Sequence, residues 1–338
     1  MNDLFAEVTS FNNLHLAYLK ARRCRRYRTA ILKFGYDLEE NLLALRRELA
    51  NKTYRHGGYR KFIVADSKKR VIKAAPFRDR VVHHALCNVI EPILDRGFIY
   101  DSYACRKGKG THAAVIRLEK FIKSLRTNER ERERRMGPAR TYCLKCDVSK
   151  YFDNIDHEIL LKILKKKIKD ENVLWLLREI IESNPRGIPI GNLTSQLFAN
   201  VYLNELDHFV KRTLHEKYYT RYMDDFVVLG TDKKRLNRDK ERIRSFLRDE
   251  LKLELHPKKA EVFPIDKGVD FLGYVIRDNR RLLRKSTVNR FLKKKKRYEK
   301  MTEKDEVSPQ SAENIRASWR GYTKFAKAYK LMDSLGLK

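Results

Sequence analysis

Tyr222-Met223-Asp224-Asp225 stands between two strand-like runs, Lys217-Tyr218-Tyr219-Thr220-Arg221 and Phe226-Val227-Val228-Leu229. Two adjacent carboxylates therefore fall at the tip of a β-hairpin. Aspartate is common in exposed turns, where it caps its own backbone, but tight hairpins favour Asn-Gly or Asp-Gly, and this tip has no glycine. A tip that breaks the local rule points to function. Upstream, Tyr142-Cys143-Leu144-Lys145-Cys146-Asp147-Val148 reads as a second short buried strand, with Asp147 where it ends. Three acids at two strand ends suit a pair of Mg²⁺ ions, which take hard oxygen ligands and, about 4 Å apart, clamp the attacking and leaving oxygens of an in-line phosphoryl transfer.

The chain has 338 residues, too many for one compact core of ordinary size, and its hydrophobic fraction of 42% suffices for a real core. Lysine and arginine number 76 against 44 acids, a formal net charge of +32 spread along the sequence. That is the electrostatic footprint of a polyanion partner. A basic membrane-surface protein is the rival, but no apolar run approaches the roughly 18 residues of a span, and no signal-peptide core follows Met1. A cytoplasmic protein with no membrane partner is expected. Five cysteines, 24, 87, 105, 143 and 146, indicate reduced thiols. Cys143 and Cys146 form a CxxC, but three residues apart on a strand they face opposite sides, so both are expected as core thiols rather than zinc ligands.

Four regions are expected: a basic helical extension over 1–60, with the arginine cluster Arg22-Arg23-Cys24-Arg25-Arg26-Tyr27-Arg28; a mixed region over 61–140; an α+β unit over 141–280; and a small helical unit over 281–338. Phe62-Ile63-Val64 and Arg70-Val71-Ile72 are strand candidates, and Val115, Leu118, Ile122 and Leu125 recur at helical spacing. The densely charged stretch 126–140 reads as a solvated helix extension or a mobile loop. After Asp147, an amphipathic helix over Glu158–Ile168 and an apolar segment near Leu174–Ile181 lead to a turn-rich loop, Pro185–Asn192, and then to a helix from about Thr194. Ala199, Leu203, Leu206, Val210 and Leu214 fall on one face of that helix. None of the nine histidines has a metal or triad partner in sequence; His83, His84 and His157 are expected to be satisfied by ordinary polar packing.

On these motifs the chain resembles reverse transcriptases, and more narrowly those of diversity-generating retroelements. Asp147–Asp153 resembles motif A, Gly187–Asn200 motif B, Tyr222–Asp225 the catalytic tetrapeptide, Leu253–Ala260 motif D, and Phe271-Leu272-Gly273-Tyr274 the primer grip, five motifs in order. The resemblance implies an α+β right-hand polymerase with fingers over 61–140, a palm with an antiparallel sheet over 141–280, and a helical thumb over 281–338. The narrower likeness rests on Ile190-Gly191-Asn192-Leu193-Thr194-Ser195-Gln196, which departs from the Gln-Gly…Ser-Pro pattern of retroviral, intron and retron enzymes. An apolar Ile190 removes a polar contact to the incoming nucleotide, which implies low fidelity, particularly opposite template adenine.

By that resemblance, Asp147, Asp224 and the Val148 carbonyl hold two Mg²⁺ ions, or Mn²⁺ in their place, with Asp225 in support. Phe152 stacks on the sugar and excludes a 2′-hydroxyl. Ile190 and Gln196 line the nucleotide site. Lys68, Lys69 and above all Arg70 meet the triphosphate. Lys259, or its neighbour Lys258, protonates the leaving pyrophosphate. Tyr103, Arg106, Lys107 and Lys109 are template-contact candidates, Arg78 and Arg80 pair with Asp79 to hold the fingers, and Lys293–Arg297 lies over duplex phosphates. The aromatic stripe Ile315, Trp319, Tyr322, Ala326 and Tyr329 is expected in the thumb core. Expected partners are template RNA, the RNA/DNA hybrid, deoxynucleoside triphosphates and a small basic oligomeric accessory protein, with no room for an RNase H, endonuclease or maturase domain after the thumb. The alternatives are another bacterial reverse transcriptase (retron, group II intron-like or phage-defence type) and a non-catalytic RNA-binding scaffold.

Overall fold

A computed structural model describes residues 3–65, 69–136, 140–277, 280–304, 306–326 and 328–335. Four helices open the chain: α1 (Leu4–Thr9), α2 (Phe11–Ala21), α3 (Thr29–Tyr36) and α4 (Leu38–Ala50). Asp3 caps α1, and the Ser10 hydroxyl caps α2 by accepting from the Asn13 amide. Leu14, Ala17, Tyr18 and Ala21 on α2, and Leu42, Leu45 and Leu49 on α4, recur at three- and four-residue spacing and bury one face of each helix. Next come the antiparallel strands β1 (Arg60–Ala65) and β2 (Lys69–Ala74), then α5 (Phe77–Asp95) and α6 (Thr111–Met136). Lys68 lies outside the described residues, as do 137–139. The charged stretch is thus a helix extension as far as Met136.

β3 (Tyr142–Asp147), α7 (Tyr151–Asn154), α8 (His157–Lys167), α9 (Glu171–Glu182) and α10 (Leu193–His208) follow. Next are β4 (Tyr218–Tyr222), β5 (Asp225–Gly230), α11 (Lys233–Leu251) and β6 (Glu261–Pro264). Asp156, Asp170 and Asp232 cap α8, α9 and α11 through backbone amides. The strands make one antiparallel sheet in the order β4-β5-β3-β6. Alternation along β3 and β5 splits the core: Leu144, Cys146, Phe226 and Val228 face the large helical core, whereas Cys143, Val227 and Leu229 pack with Val115, Leu118 and Ile122 of α6. Cys143 and Cys146 are therefore free, buried thiols on opposite faces, as expected.

β7 (Val269–Phe271), β8 (Tyr274–Arg277) and β9 (Arg280–Leu283) form a second antiparallel sheet, and α12 (Lys285–Glu303), α13 (Pro309–Phe325) and α14 (Tyr329–Ser334) follow it in the chain. Phe291 stacks on Trp319 with ring centroids 4.1 Å apart, and Tyr322 stacks on Tyr274 at 4.8 Å. The aromatic stripe is core, except that Tyr329 is 65% exposed. α13 ends at Phe325, so the helical phase is lost before Tyr329. Among the described residues no helix is long and apolar enough to cross a membrane. The mixed helices and antiparallel sheets agree with an α+β polymerase palm.

One expectation fails in α5. His157 is satisfied, its Nε2 lying 2.7 Å from the Gly187 carbonyl, but both ring nitrogens of the buried His83 lack a hydrogen-bond partner. His83 stacks on His56 and is flanked by His84 and Arg80, so burial first, and then the cost of a second charge beside His56, His84 and Arg80, hold its pKa well below the usual value. The folded state must keep His83 neutral while the unfolded chain protonates it, so this residue's share of stability is present above about pH 6.5 and drains away as pH falls below it. Relative to wild type, His83→Leu is expected to gain melting temperature at pH 5 over its value at pH 8, read by thermal denaturation at both; an unchanged difference would remove His83 as an acid-sensitive group.

Candidate active site

Tyr222 pairs with Asp225 across the hairpin, which leaves Met223 and Asp224 as a two-residue turn. Met223 has φ 57°, the left-handed region. A positive φ at the first central position belongs to a type II′ turn, where glycine is usual and a side chain costs about 1–2 kcal/mol. The strain is offset from below: Arg221 Nη1 donates to the Met223 carbonyl at 3.0 Å. Across the sheet, Asp147 lies directly opposite Asp225. The Val148 amide donates to the Asp224 carbonyl at 3.2 Å, and on the other side the His256 amide donates to the Asp147 carbonyl at 2.7 Å. The end of β3 is thus gripped between the hairpin tip and the segment after α11.

Backbone pairing brings the three acids to one end of the sheet. Burial first, and the Asp147 charge second, raise the Asp224 pKa, with Lys259 and Arg70 pulling the other way. Asp225 is pushed up to about 7, chiefly by burial, with Asp147, Asp224 and Asp270 adding to it against Lys145. Its Oδ1 is buried with no hydrogen-bond partner. Lys259 Nζ sits 2.7 Å from Asp147 Oδ2 and forms an ion pair with that carboxylate. Among the described residues no group of three or more His, Cys, Asp or Glu side chains is already drawn together as a metal cage. The donors nonetheless fit a hard divalent ion: the side-chain donors are all carboxylate oxygens, one of them an orphan, and their crowding is what such a charge relieves.

Phe152 is half-buried on α7, and its carbonyl accepts from the Ile188 amide at 2.8 Å. That bond ties the segment after Asp147 to the loop before α10. The same loop is strapped to β2: the Lys73 amide donates to the Ile190 carbonyl at 3.0 Å, and the Asn192 side chain takes the Ala75 amide and gives to the Lys73 carbonyl, both at 3.3 Å. Ile190 is half-buried, Ser195 is buried and Gln196 is exposed. Lys69 and Arg70 are exposed on β2, and the Arg70 charge is felt at Asp224. An open cavity of about 620 Å³ lies beside this loop, lined in part by Lys73, Ser149, Lys150 and Arg186. Its size suits a small-molecule ligand.

Two template-contact candidates have other work. Tyr103 is buried, and Arg106 bonds Asp95 at 2.6 Å together with the Ile99 and Ser102 carbonyls, so both hold the α5–α6 connection. Lys107 is exposed, and Lys109 folds back onto the Tyr100 carbonyl. Asp79 accepts from the Tyr54 hydroxyl and the Gly57 amide, with Arg78 at 3.5 Å. For Arg80, no ion pair with Asp79 is found. Sequence reasoning missed Arg221. Its one signal was an arginine in the middle of a tyrosine-rich strand, an expensive residue to bury without a partner.

Residues 60–276, more than half of the chain, match the family model described as reverse transcriptase (RNA-dependent DNA polymerase). Protein YkfC of Escherichia coli K12 is 26% identical over 330 residues, which cover 83% of this chain and 79% of that protein. The group II intron-encoded protein LtrA of Lactococcus lactis is 26% identical, with 77% of this chain covered but only 53% of LtrA, so the chain spans about half of that relative's length. Among solved structures, telomerase from Candida albicans superposes with a TM-score of 0.50 at 11% identity, covering 73% of this chain and 51% of that one. Telomerase from Candida tropicalis truncated from its C-terminal domain gives 0.51 at 13%, covering 70% and 58%. At such identities the likeness is one of fold, the right-hand polymerase fold.

Gly187 sits where the loop before α10 runs against the backbone of α7. It has φ 61°, and a Cβ there would stand 2.3 Å from the Phe152 carbonyl oxygen and 2.6 Å from the Asp153 backbone. Gly187→Ala should therefore destabilise the fold by at least about 2 kcal/mol, the left-handed penalty plus a backbone clash. Denaturant unfolding that shows no loss would refute this junction.

Proposed function

The chain belongs to the reverse transcriptase family, and from that premise we propose that it copies an RNA template into DNA on the Asp147–Asp224–Asp225 site, in the service of a diversity-generating retroelement. The observation that carries the chemistry is the strand register that sets Asp147 opposite Asp225, with Asp224 one residue away at the tip. Asp147, Asp224 and the Val148 carbonyl are the proposed ligands, and Asp225 supports them. Bound there, two Mg²⁺ ions, or Mn²⁺ in their place, supply the Lewis acidity that offsets charge on the attacking and leaving oxygens.

The protein's own groups do the rest. Arg70 and Lys69 meet the triphosphate of the incoming deoxynucleotide, a guanidinium being suited to two phosphate oxygens at once. Phe152 closes the sugar pocket against a 2′-hydroxyl. Lys259, already beside Asp147, is placed to give a proton to pyrophosphate. Ile190 offers the nucleotide an apolar surface where relatives of the Gln-Gly type offer a hydrogen bond, and a site without that bond discriminates less between partners. That residue, with Ser195 and Gln196, supports the mutagenic reading, for which the resemblance implies a small basic accessory protein. A second reading, a group II intron-like reverse transcriptase, is favoured by the likeness to LtrA.

Asp224→Asn is expected to reduce primer extension to background while RNA binding stays near wild type; full residual activity would defeat the ligand role. Phe152→Ala is expected to admit ribonucleotides, measured by competition of ribo- and deoxynucleotides at one template position. For the mutagenic reading, cDNA made by the purified protein on a defined transcript is sequenced. Ile190→Gln should lower misincorporation opposite adenine several-fold, and an unaltered error spectrum would favour the intron-like reading.

A further inference from the structure

Arg221 and Asp207 are both fully buried, with no exposed side-chain surface on either. Arg221 Nε and Nη2 grip the two Asp207 oxygens at 2.7 and 2.6 Å. Nη2 also reaches Ser102 Oγ at 3.2 Å, and Nη1 reaches Asn200 Oδ1 at 3.3 Å and the Met223 carbonyl at 3.0 Å. Each of the five N–H bonds that an arginine carries thus has an acceptor within reach. Asp207 takes a further hydrogen bond from the Tyr219 hydroxyl at 2.7 Å. The backbone of Arg221 is held as firmly, its amide on the Asp101 carbonyl and its carbonyl on the Tyr103 amide.

A buried ion pair seldom stabilises a fold more than well-packed apolar residues would. What apolar residues could not do is hold a backbone carbonyl. The Met223 carbonyl belongs to the peptide that leads into Asp224, and Met223 is the residue in the left-handed conformation. We propose that Arg221, clamped by Asp207, is a positioning residue that fixes the Met223–Asp224 peptide and so aims the Asp224 carboxylate at Asp147.

Only a planar fork can serve Asp207 along one edge and the Met223 carbonyl along another; a lysine ammonium, a single point of charge, keeps the ion pair and loses the brace. Asp207 and Asn200 both sit on α10, the helix that follows the loop carrying Ile190, so the same clamp sets the hairpin tip relative to that loop. This inference rests on the proposed two-cation reading of the site.

The test compares full-length wild type, Asp224→Asn, Arg221→Lys and the apolar triple variant Arg221→Met/Asp207→Leu/Tyr219→Phe. Mn²⁺ affinity is read by electron paramagnetic resonance of the free ion, alongside melting temperature and the kcat and KM for deoxynucleotide. Arg221→Lys is expected to melt within a few degrees of wild type, yet to bind Mn²⁺ at least 10-fold more weakly and to lose kcat with little change in KM. The triple variant, where it folds, should show the same split. Wild-type Mn²⁺ affinity in either folded variant would overturn the positioning role, as would a binding loss that only tracks a fall in melting temperature. If wild type itself binds no Mn²⁺, or Asp224→Asn binds it equally well, the two-cation reading fails instead.

Discussion

Hydrogen bonds between β3 and β5 set Asp147 opposite Asp225, and a slip of one residue would carry one acid to the other face of the sheet. Such a register needs enforcing, because it presses like charges together. Two carboxylates about 5 Å apart repel by about 3 kcal/mol at an effective dielectric near 20. The opposing force is apolar. Leu144, Cys146, Phe226 and Val228 on one face, and Cys143, Val227 and Leu229 on the other, are all buried in this alignment, and a one-residue slip would turn each to the opposite face. Burying several such side chains, at about 1.5–3 kcal/mol each, outweighs the repulsion. The sheet can therefore hold these acids close together; burial first, and their neighbouring charges second, raise Asp224 and Asp225, and a divalent cation would relieve both.

Positive charge is arranged around the acids in two ways. Lys259, half-buried after α11, touches the Asp147 carboxylate directly at 2.7 Å. Arg221 lies at the turn, fully buried and paired with Asp207, and meets the tip through the Met223 backbone carbonyl rather than through the Asp224 or Asp225 carboxylate. One compensates charge and the other fixes geometry. Further out, the Phe152–Ile188 and Lys73–Ile190 backbone bonds join motif A, the loop before α10 and β2, so the residues proposed to contact a nucleotide share one connected frame.

Much of this was legible in the sequence. The hairpin around Tyr222–Asp225, the strand ending at Asp147, the apolar face of α10 and the opposed Cys143 and Cys146 all follow from periods of two and 3.6, which reflect burial directly. The family resemblance added the order of the parts. Long-range partners were not legible. Nothing near Arg221 in sequence announces that its acceptor is Asp207 on a preceding helix, or that Asn192 reaches back to β2. Tyr103 and Arg106 were misjudged because a basic-aromatic run reads alike whether it is solvated or folded onto Asp95 and backbone carbonyls. His83 was misjudged because polar satisfaction is the rule for buried groups, and this one is an exception.

The most direct measurement is metal-directed backbone cleavage. Fe²⁺ is loaded in place of Mg²⁺ on the full-length protein, hydroxyl radicals are generated by peroxide and ascorbate, and the cuts are mapped by mass spectrometry. A cation shared by Asp147, Asp224 and Asp225 gives paired cuts, one set around residues 146–149 and the other around 222–226, both suppressed by excess Mg²⁺ and by Asp224→Asn. Cleavage at only one of these segments, or at neither, would contradict a shared site.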